Sequence, residues 1–288
     1  MATLTVSGSL DNQAFEGLLG RALATEAMTG ADRDRVVVDL STCTFIEAPA
    51  ATMLCALTYH LADGQRDVQF LPPTREDVRR YFGYCGLERA LSDGGVGALA
   101  GELKAVGQYA LPVCRVAGER DVAVIGDFIC ESVAERLGAS AAFAGWSRSV
   151  FDALCENIVI HAEAGVGGWA AAQVHRRGDG RVFVRIGVVD VGVGIPATMA
   201  RRHPGLQGDS AALHCKAILK ATQPGATGTS EGGGIGLTQV CQIVSDCNGT
   251  LHVRSLTGNV TIGIHPTTRR HVTHFPGTQL HVILVGQA

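Results

Sequence analysis

The amino-acid sequence predicts an α/β fold made of two α/β domains. In residues 1–95, short apolar strands alternate with segments of helical periodicity, which is typical of layered α/β structure. Residues 96–111 are rich in glycine and lack a clear period, so they predict a linker. In residues 112–288, two helical segments precede a pair of strands and a glycine cluster that opens another helix. A chain of 288 residues is long enough for two such domains.

The first domain is predicted to contain three strands and three helices. Alternating or continuous apolar residues predict strands at 4–8, 35–40 and 67–71. Helical spacing of apolar residues predicts helices at 13–26, 50–60 and 76–91. Pro49 suits the start of the central helix, because the fixed backbone angle of proline is compatible with the first helical turn.

Two stretches of this domain carry a resemblance to a known family. They are Val37-Val-Asp-Leu-Ser-Thr-Cys-Thr-Phe-Ile-Glu47 and Val78-Arg-Arg-Tyr-Phe-Gly-Tyr-Cys-Gly-Leu87. They resemble the STAS domain of anti-sigma-factor antagonists, over about residues 2 to 95. In that family a serine at the start of the central helix accepts phosphate from a partner kinase. Pro49 stands at that position here and has no hydroxyl group, so the resemblance implies a docking module without its phosphorylation switch.

Glu47 precedes the central helix of this domain. A carboxylate is favoured at the positive end of a helix dipole, so Glu47 is expected to cap the helix.

The second domain is predicted to begin with two helices, followed by two strands. The helices are predicted at 121–137 and 142–162, and the strands at 169–175 and 181–190. A later helix is predicted to contain Gln239–Val244, and a strand is predicted at 259–265.

Two polar stretches of this domain are predicted to be loops. Residues 197–230 have few apolar residues, and a loop of that length is typically a lid or a binding loop. Lys216 and Lys220 lie one helical turn apart in it and either reach a phosphate or form a solvated face. Residues 266–274 are predicted to form a surface or an interface together with the strand at 259–265, and a solvated loop is favoured for them.

Three motifs in the second domain carry chemistry. Asn157 shares a helix face with His161, four residues further on. Asp190 ends an apolar strand and is followed by Gly192 and Gly194, which allow close approach to the backbone. The third motif, Glu231-Gly-Gly-Gly-Ile-Gly-Leu-Thr238, opens a helix, whose unpaired amides attract anions. Taken singly, the motifs are also explained by a core hydrogen bond, turn chemistry and a flexible loop.

The third motif differs from two common phosphate-binding sequences. No Gly-Lys-Ser/Thr follows its glycines, and its spacing lacks the last glycine of a dinucleotide fingerprint. In their order along the chain, however, the three motifs resemble the N, G1 and G2 boxes of the GHKL, or histidine-kinase-like, ATPases. Phe275-Pro-Gly-Thr-Gln-Leu280 resembles the Gly-Thr element of that family. The resemblance covers about residues 112 to 285 and implies a Bergerat-type α/β sandwich that binds ATP and Mg²⁺.

The resemblance also implies a role for individual residues. Asp190 would accept a hydrogen bond from the exocyclic amine of adenine, and Thr278 would add a hydrogen bond nearby. Asn157 would hold Mg²⁺ through its amide oxygen, which is a ligand type that hard cations prefer. The positions implied to approach the purine or to wrap the triphosphate are Gly192, Gly194, Gly232, Gly234, Gly236 and Leu237.

One position departs from the pattern of this family. Its ATP-hydrolysing members and its most similar serine kinases carry a glutamate as general base four residues before the magnesium-binding asparagine. Ala153 occupies that position here, so no catalytic residue is assigned. Asp152 and Glu156 are expected to point about 100° away on the helix and not to replace the missing base.

Two functions remain open at this point. One is a Mg·ATP-dependent serine/threonine protein kinase of the anti-sigma-factor type. The other is a nucleotide-sensing scaffold with little or no phosphotransfer, which Ala153 favours. The resemblance implies a sigma factor, a STAS protein or a related bacterial regulator as partner, and related kinases are often homodimers.

Composition and charge bear on the partners and the compartment. The net charge of -3 does not favour nucleic acid or anionic membrane. The start of the sequence has no signal-peptide pattern, and no apolar run approaches the length of a membrane span, so a cytoplasmic location is expected. The nine cysteines are predicted to be reduced and mostly buried.

Overall fold

The computed structural model describes residues 2–26, 35–93, 95, 98–99, 110–226, 236–263 and 267–287. These residues form a mixed α/β structure with three hydrogen-bonded sheets. The helices are α1 (Asn12–Glu26), α2 (Ala48–Asp63), α3 (Glu76–Tyr84), α4 (Leu87–Ser92), α5 (Glu119–Glu131), α6 (Ala141–Glu156), α7 (Gly194–Ala200), α8 (Ala211–Ala221) and α9 (Gly236–Asp246). The strands are β1 (Ala2–Thr5), β2 (Gly8–Leu10), β3 (Arg35–Asp39), β4 (Cys43–Ile46), β5 (Asp67–Leu71), β6 (Ala98–Leu99), β7 (Ala110–Val116), β8 (Gly168–Arg176), β9 (Arg181–Asp190), β10 (Thr250–Gly263) and β11 (Thr268–Gln287).

The N-terminal part contains two small parallel sheets. Their strand orders are β1-β3-β5 and β2-β4. The predicted strands at 35–40 and 67–71 and the first two helices of this part are confirmed. The single strand predicted at 4–8 is wrong, because the chain forms β1 and β2 on either side of residues 6 and 7. The single helix predicted at 76–91 is also wrong. The chain forms α3 and α4 instead, because Gly86 between them adopts the left-handed conformation (φ 70°), which ends a helix.

The C-terminal part contains a six-stranded sheet in the order β10-β11-β9-β8-β7-β6. Its strands are antiparallel neighbours except for the parallel pair β6 and β7. The predicted strands at 169–175 and 181–190 are confirmed as β8 and β9. The strand β7 was not predicted, and it begins at Ala110, inside the segment 96–111 that the sequence predicts as a linker.

The predicted loop at 197–230 is wrong for its described part. The stretch up to Ala226 contains the end of α7, a short 3₁₀ turn at Pro204–Leu206, and α8, which packs against β10. Ser210 caps α8 by accepting a hydrogen bond from Leu213 N, and Cys215 and Ile218 are buried. The serine cap and the buried stripe are helix signals that the polar composition of this stretch obscured.

For its described residues, the loop predicted at 266–274 is also wrong, whereas the predicted exposure is confirmed. From Thr268 onward these residues belong to β11 and pair with β10, for example Arg269 with Val260 and His271 with Gly258. The side chains of Arg269 and His271 are exposed, which explains why this part of β11 is polar although it is a strand.

Helix α2 lies between the other elements of the N-terminal part and the large sheet. Apolar side chains are found all around it, which is typical of a helix that is covered on every side. It contacts β5, α1 and α4 on the N-terminal side and β8 and β9 on the other. The N-terminal core accordingly continues into the large sheet through Val113, Trp169, Ala171, Val189 and Phe275.

The opposite face of the large sheet carries a separate core. Helices α5, α6, α8 and α9 contribute to it together with apolar residues of β8, β9, β10 and β11. One face of the sheet therefore packs against helices of the C-terminal part, and the other face packs against the N-terminal part.

Glu47 does not have the role that the sequence predicts. Its side chain makes no capping hydrogen bond to α2. Its carboxylate instead forms an ion pair with Arg185 of β9. Next to this pair, Gln173 of β8 accepts a hydrogen bond from Ala48 N (3.0 Å) and donates one to Ile46 O (3.2 Å). The start of α2 is thus fixed by the large sheet.

Two further predictions concern the cysteines and membrane spans. All nine cysteines are free thiols, and seven of them are buried, as predicted. Within the described ranges, none of the helices combines the length and the apolar character that crossing a bilayer requires.

Candidate functional site

Asp190 is the last residue of β9 and is only 3% exposed. Its Oδ1 accepts a hydrogen bond from Gly192 N at 2.8 Å. Burial raises the pKa of its carboxyl group to about 7, against the opposing effect of backbone hydrogen bonds from Gly192 and Thr278. No charged side chain of the described residues contributes to this shift. Asp190 is therefore a buried carboxyl group whose negative charge lacks a cationic partner in the described part of the chain.

Glycines surround Asp190 because the backbone is crowded there. A Cβ atom at Gly277 would lie 2.5 Å from Asp190 Oδ1, and one at Gly192 would lie 1.8 Å from Ala162 O. Gly194 has a φ of 79°, and a Cβ atom there would lie 2.8 Å from Ser255 Oγ. Contacts within the chain thus already require glycine at these three positions. This supports the alternative that Gly192 and Gly194 serve the turn itself.

Thr278 lies beside these glycines, as the sequence predicts, and is 4% exposed. Its Oγ1 is 3.1 Å from Ser255 Oγ, which also donates a hydrogen bond to Gly277 O and accepts one from Ile195 N. Sequence reasoning missed Ser255. Its signal is a serine flanked by strand residues in β10, where a buried hydroxyl group requires hydrogen-bond partners.

Asn157 lies at the end of α6, where the helix widens into a π-helical turn, Asn157–His161. The sequence predicts a continuous α-helix there, and π turns occur often at functional sites. The Asn157 amide nitrogen donates a hydrogen bond to Ala153 O at 2.9 Å. The amide oxygen takes no part in this bond. His161 Nδ1 is buried and finds no hydrogen-bond partner within the described ranges.

The start of α9 lies against the last turn of α6. A Cβ atom at Gly236 would lie 3.7 Å from Ala153 O. Leu237 is 7% exposed and belongs to the core that α5, α6, α8 and α9 form with the large sheet. The predicted helix after the glycine cluster is confirmed as α9, whereas Gly232 and Gly234 lie outside the described residues.

One contact joins the Asn157 turn to the Asp190 loop. Val193 N donates a hydrogen bond to Ala162 O at 2.9 Å, directly after the π-helical turn. The structure therefore brings Asp190, Gly192, Gly194 and Thr278 together. The end of α6 connects this group to the start of α9.

The two acidic neighbours of Ala153 behave differently. Asp152 accepts a hydrogen bond from Arg148 Nε (3.4 Å) and lies against Gly126 of α5, away from α9. The angle of about 100° expected for Glu156 is wrong, because its Oε2 would lie 3.7 Å from a Cβ atom at Gly236. That Glu156 does not replace the missing base stays a prediction. Glu156 follows Ala153 by three positions, which places the two side chains only about 60° apart on a helix.

The lysines of α8 are not drawn into this site by any observed contact. Lys216 is exposed, and Lys220 Nζ donates a hydrogen bond to Gln223 Oε1 at 3.2 Å. The two alternatives for these lysines, contact with a phosphate and a solvated helix face, both stay predictions.

Comparison with known protein families finds none that matches this chain, and comparison with curated proteins finds no match either.

Proposed function

We propose that this chain is an ATP-binding regulatory protein of the partner-switching type. In this proposal the C-terminal part is a GHKL-type ATP-binding domain, and the N-terminal part is a STAS-like docking module. The observation that carries the proposal is Asp190, a buried carboxyl group at a strand end without a cationic partner in the described part of the chain. Burying such a group is costly unless a ligand or a partner uses it.

The chemistry of Asp190 is compatible with adenine. One carboxylate oxygen already accepts a hydrogen bond from Gly192 N. A carboxylate has two acceptor oxygens, so the other can accept a hydrogen bond from an exocyclic amine. Guanine presents a carbonyl oxygen at the corresponding position, and two acceptors would repel each other. The site is therefore expected to prefer ATP over GTP.

The end of α6 and the start of α9 are compatible with Mg²⁺ and phosphate. The Asn157 amide oxygen is a hard ligand of the type that Mg²⁺ accepts. Gly236 opens α9, and a helix start favours negative charge. When bound, Mg²⁺ would neutralise part of the negative charge of the phosphates. The chain itself would contribute the amide ligand of Asn157 and the backbone amides at the helix start.

Two versions of the proposal differ in whether phosphate is transferred. Ala153, 6% exposed beside Gly236, supports a nucleotide-sensing scaffold, because an alanine side chain cannot act as a base. Glu156 supports slow transfer to a serine or threonine of a partner, because its carboxylate lies near the same helix start. In both versions the partner is a sigma factor, a STAS protein or a related regulator.

The proposal is tested by calorimetric titration of the purified protein with ATP, ADP and GTP in the presence of Mg²⁺. We expect ATP to bind and GTP to bind at least tenfold more weakly. Mass spectrometry of the recovered nucleotide and of an added STAS protein then separates the two versions. Intact ATP supports the scaffold, whereas ADP or a phosphorylated STAS protein supports the kinase. The absence of nucleotide binding would refute both.

A further inference from the structure

A chain of hydrogen bonds runs from helix α1 of the N-terminal part to the backbone of Asp190. Its members are Glu16 of α1, Arg254 of β10 and Gln279 of β11. All three lie where the N-terminal part packs on the large sheet, and Arg254 and Gln279 are at most 5% exposed. The chain therefore crosses the boundary between the two parts through the interior of the protein.

Arg254 is the central member and is a buried cation. Its Nε donates a hydrogen bond to Glu16 Oε1 at 2.5 Å, and another guanidinium nitrogen donates to Gln279 Oε1 at 2.8 Å. A third hydrogen bond goes to Thr273 O. Burial lowers the pKa of Arg254, and the Glu16 carboxylate opposes this effect. Glu16 is the carboxylate that compensates the charge of Arg254 in the described part of the chain.

Gln279 continues the chain into the candidate site. Its amide oxygen accepts the hydrogen bond from Arg254, which orients the amide nitrogen toward two backbone carbonyls. The nitrogen donates to Pro276 O at 3.0 Å and to Asp190 O at 3.4 Å. Pro276 and Gln279 flank Gly277 and Thr278, which pack directly against the Asp190 carboxyl group. Gln279 thus links the two backbone segments of the Asp190 site, in addition to the pairing of β11 with β9.

We propose that the Glu16–Arg254–Gln279 chain couples the packing of α1 on the large sheet to the shape of the Asp190 site. Removing the Glu16 charge leaves a buried guanidinium group without its carboxylate, which is unfavourable. Arg254 then shifts toward water, and Gln279 loses the partner that orients it. Since coupling between two sites is reciprocal, a ligand that orders the Asp190 site also stabilises the packing of α1. The identity of this ligand as ATP rests on the proposed function.

The test compares Glu16→Gln with Glu88→Gln. Both substitutions remove one carboxylate charge from the N-terminal part, but Glu88 is exposed on α4. Hydrogen–deuterium exchange is first measured without nucleotide. We expect Glu16→Gln to accelerate amide exchange about fivefold or more in residues 275–280 and 190–194, and Glu88→Gln to leave these segments unchanged. Unchanged exchange in these segments of a folded Glu16→Gln protein would overturn the coupling.

The second arm adds Mg·ATP. In the wild type we expect ATP to slow exchange in α1, and in Glu16→Gln we expect an ATP affinity at least fivefold lower. Gln279→Leu interrupts the chain while keeping the Glu16–Arg254 pair, so it should abolish the effect of ATP on α1. It also replaces Glu16→Gln if that variant does not fold. An effect of ATP on α1 that persists in Gln279→Leu would overturn the proposal.

The two proposals fail in different ways. If the wild type binds no nucleotide, the proposed function fails, and the exchange experiment without nucleotide still decides whether the chain couples the two parts. If the wild type binds ATP while Glu16→Gln changes neither exchange nor affinity, the coupling fails and the proposed function stands.

Discussion

Gly187 of β9 lies directly against Pro49 of α2. A Cβ atom at position 187 would be 2.5 Å from Pro49 Cα and 3.0 Å from Thr52 Oγ1. Pro49 is buried in this contact. The position that resembles the phosphate acceptor of STAS domains therefore lacks a hydroxyl group and is also covered by the large sheet. In this arrangement a kinase could not reach it even if it were serine.

Replacing Gly187 with alanine is expected to destabilise the packing of α2 on the sheet. The nearest atom belongs to the backbone, so the helix has to move, and overpacking of this kind costs about 1–3 kcal/mol. The matched control is Gly145→Ala in α6, where a new Cβ atom meets nothing within 4 Å. That variant should be neutral or slightly more stable, since alanine favours helices. Urea unfolding of both variants measures the difference, and equal stability would contradict this packing.

The Glu47–Arg185 ion pair is expected to contribute to the contact between the two parts. The side chains are 17% and 25% exposed, so solvent screens the pair less than a surface pair. A double-mutant cycle with Glu47→Gln and Arg185→Met should give a coupling energy of about 1–2 kcal/mol in favour of the native pair. The same cycle on the exposed pair Glu76–Arg80 should give about 0.5 kcal/mol or less. Similar coupling energies for both pairs would show that solvent screens the Glu47–Arg185 pair as strongly as the surface pair.

The raised pKa of Asp190 predicts how stability depends on pH in the absence of a ligand. In the native state its pKa is about 7, whereas an unfolded aspartate titrates near 3.9, so the native state binds the proton more tightly. The stabilisation is complete below about pH 4 and is lost as pH rises to about 7. Between pH 5 and pH 8, the unfolding free energy of the wild type should fall by roughly 2–3 kcal/mol more than that of Asp190→Asn. Parallel pH profiles for the two proteins would show that Asp190 titrates normally.

Glu156 is expected to support any phosphotransfer that the protein performs. Its carboxylate lies near Gly236, whereas Asp152 is bound to Arg148 on the α5 side. Glu156→Gln should therefore lower ATP turnover by about 100-fold or more, with little change in nucleotide affinity. Asp152→Asn is the control and should leave turnover within a few fold of the wild type. Single-turnover measurements with radiolabelled ATP distinguish these outcomes, and equal loss in both variants would contradict the role of Glu156.

Regular patterns of apolar residues made most of the fold predictable. The strand 181–190 and the helix after the glycine cluster follow directly from local periodicity. Errors arose where polar composition outweighed periodicity, as in α8 and in the first part of β11. In α8 one face is exposed and the other packs against β10, whereas the first part of β11 is exposed on both faces and is held by its pairing with β10.

The candidate site was predictable in its residue types but not in its connections. Asp190 and Thr278 lie together as the motifs indicate. The roles of Ser255, Arg254 and Gln279 depend on pairing between strands and between the two parts of the chain, which one sequence does not reveal. The predicted angle of Glu156 was wrong because Glu156 follows Ala153 by three positions, which is about 60° on a helix, and Ala153 faces the start of α9.

The measurement that tests the central claim most directly is a parallel titration of the wild type and Asp190→Asn with Mg·ATP at pH 8. In the variant, the amide oxygen must still accept the hydrogen bond from Gly192 N, so the amide nitrogen would face the adenine amine, and two donors would oppose each other. We expect the wild type to bind ATP and the variant to bind at least tenfold more weakly, the loss that follows from one hydrogen bond to a charged group. Equal affinity of the two proteins, or the absence of binding by the wild type, would contradict the assignment of Asp190 as the adenine-recognising residue.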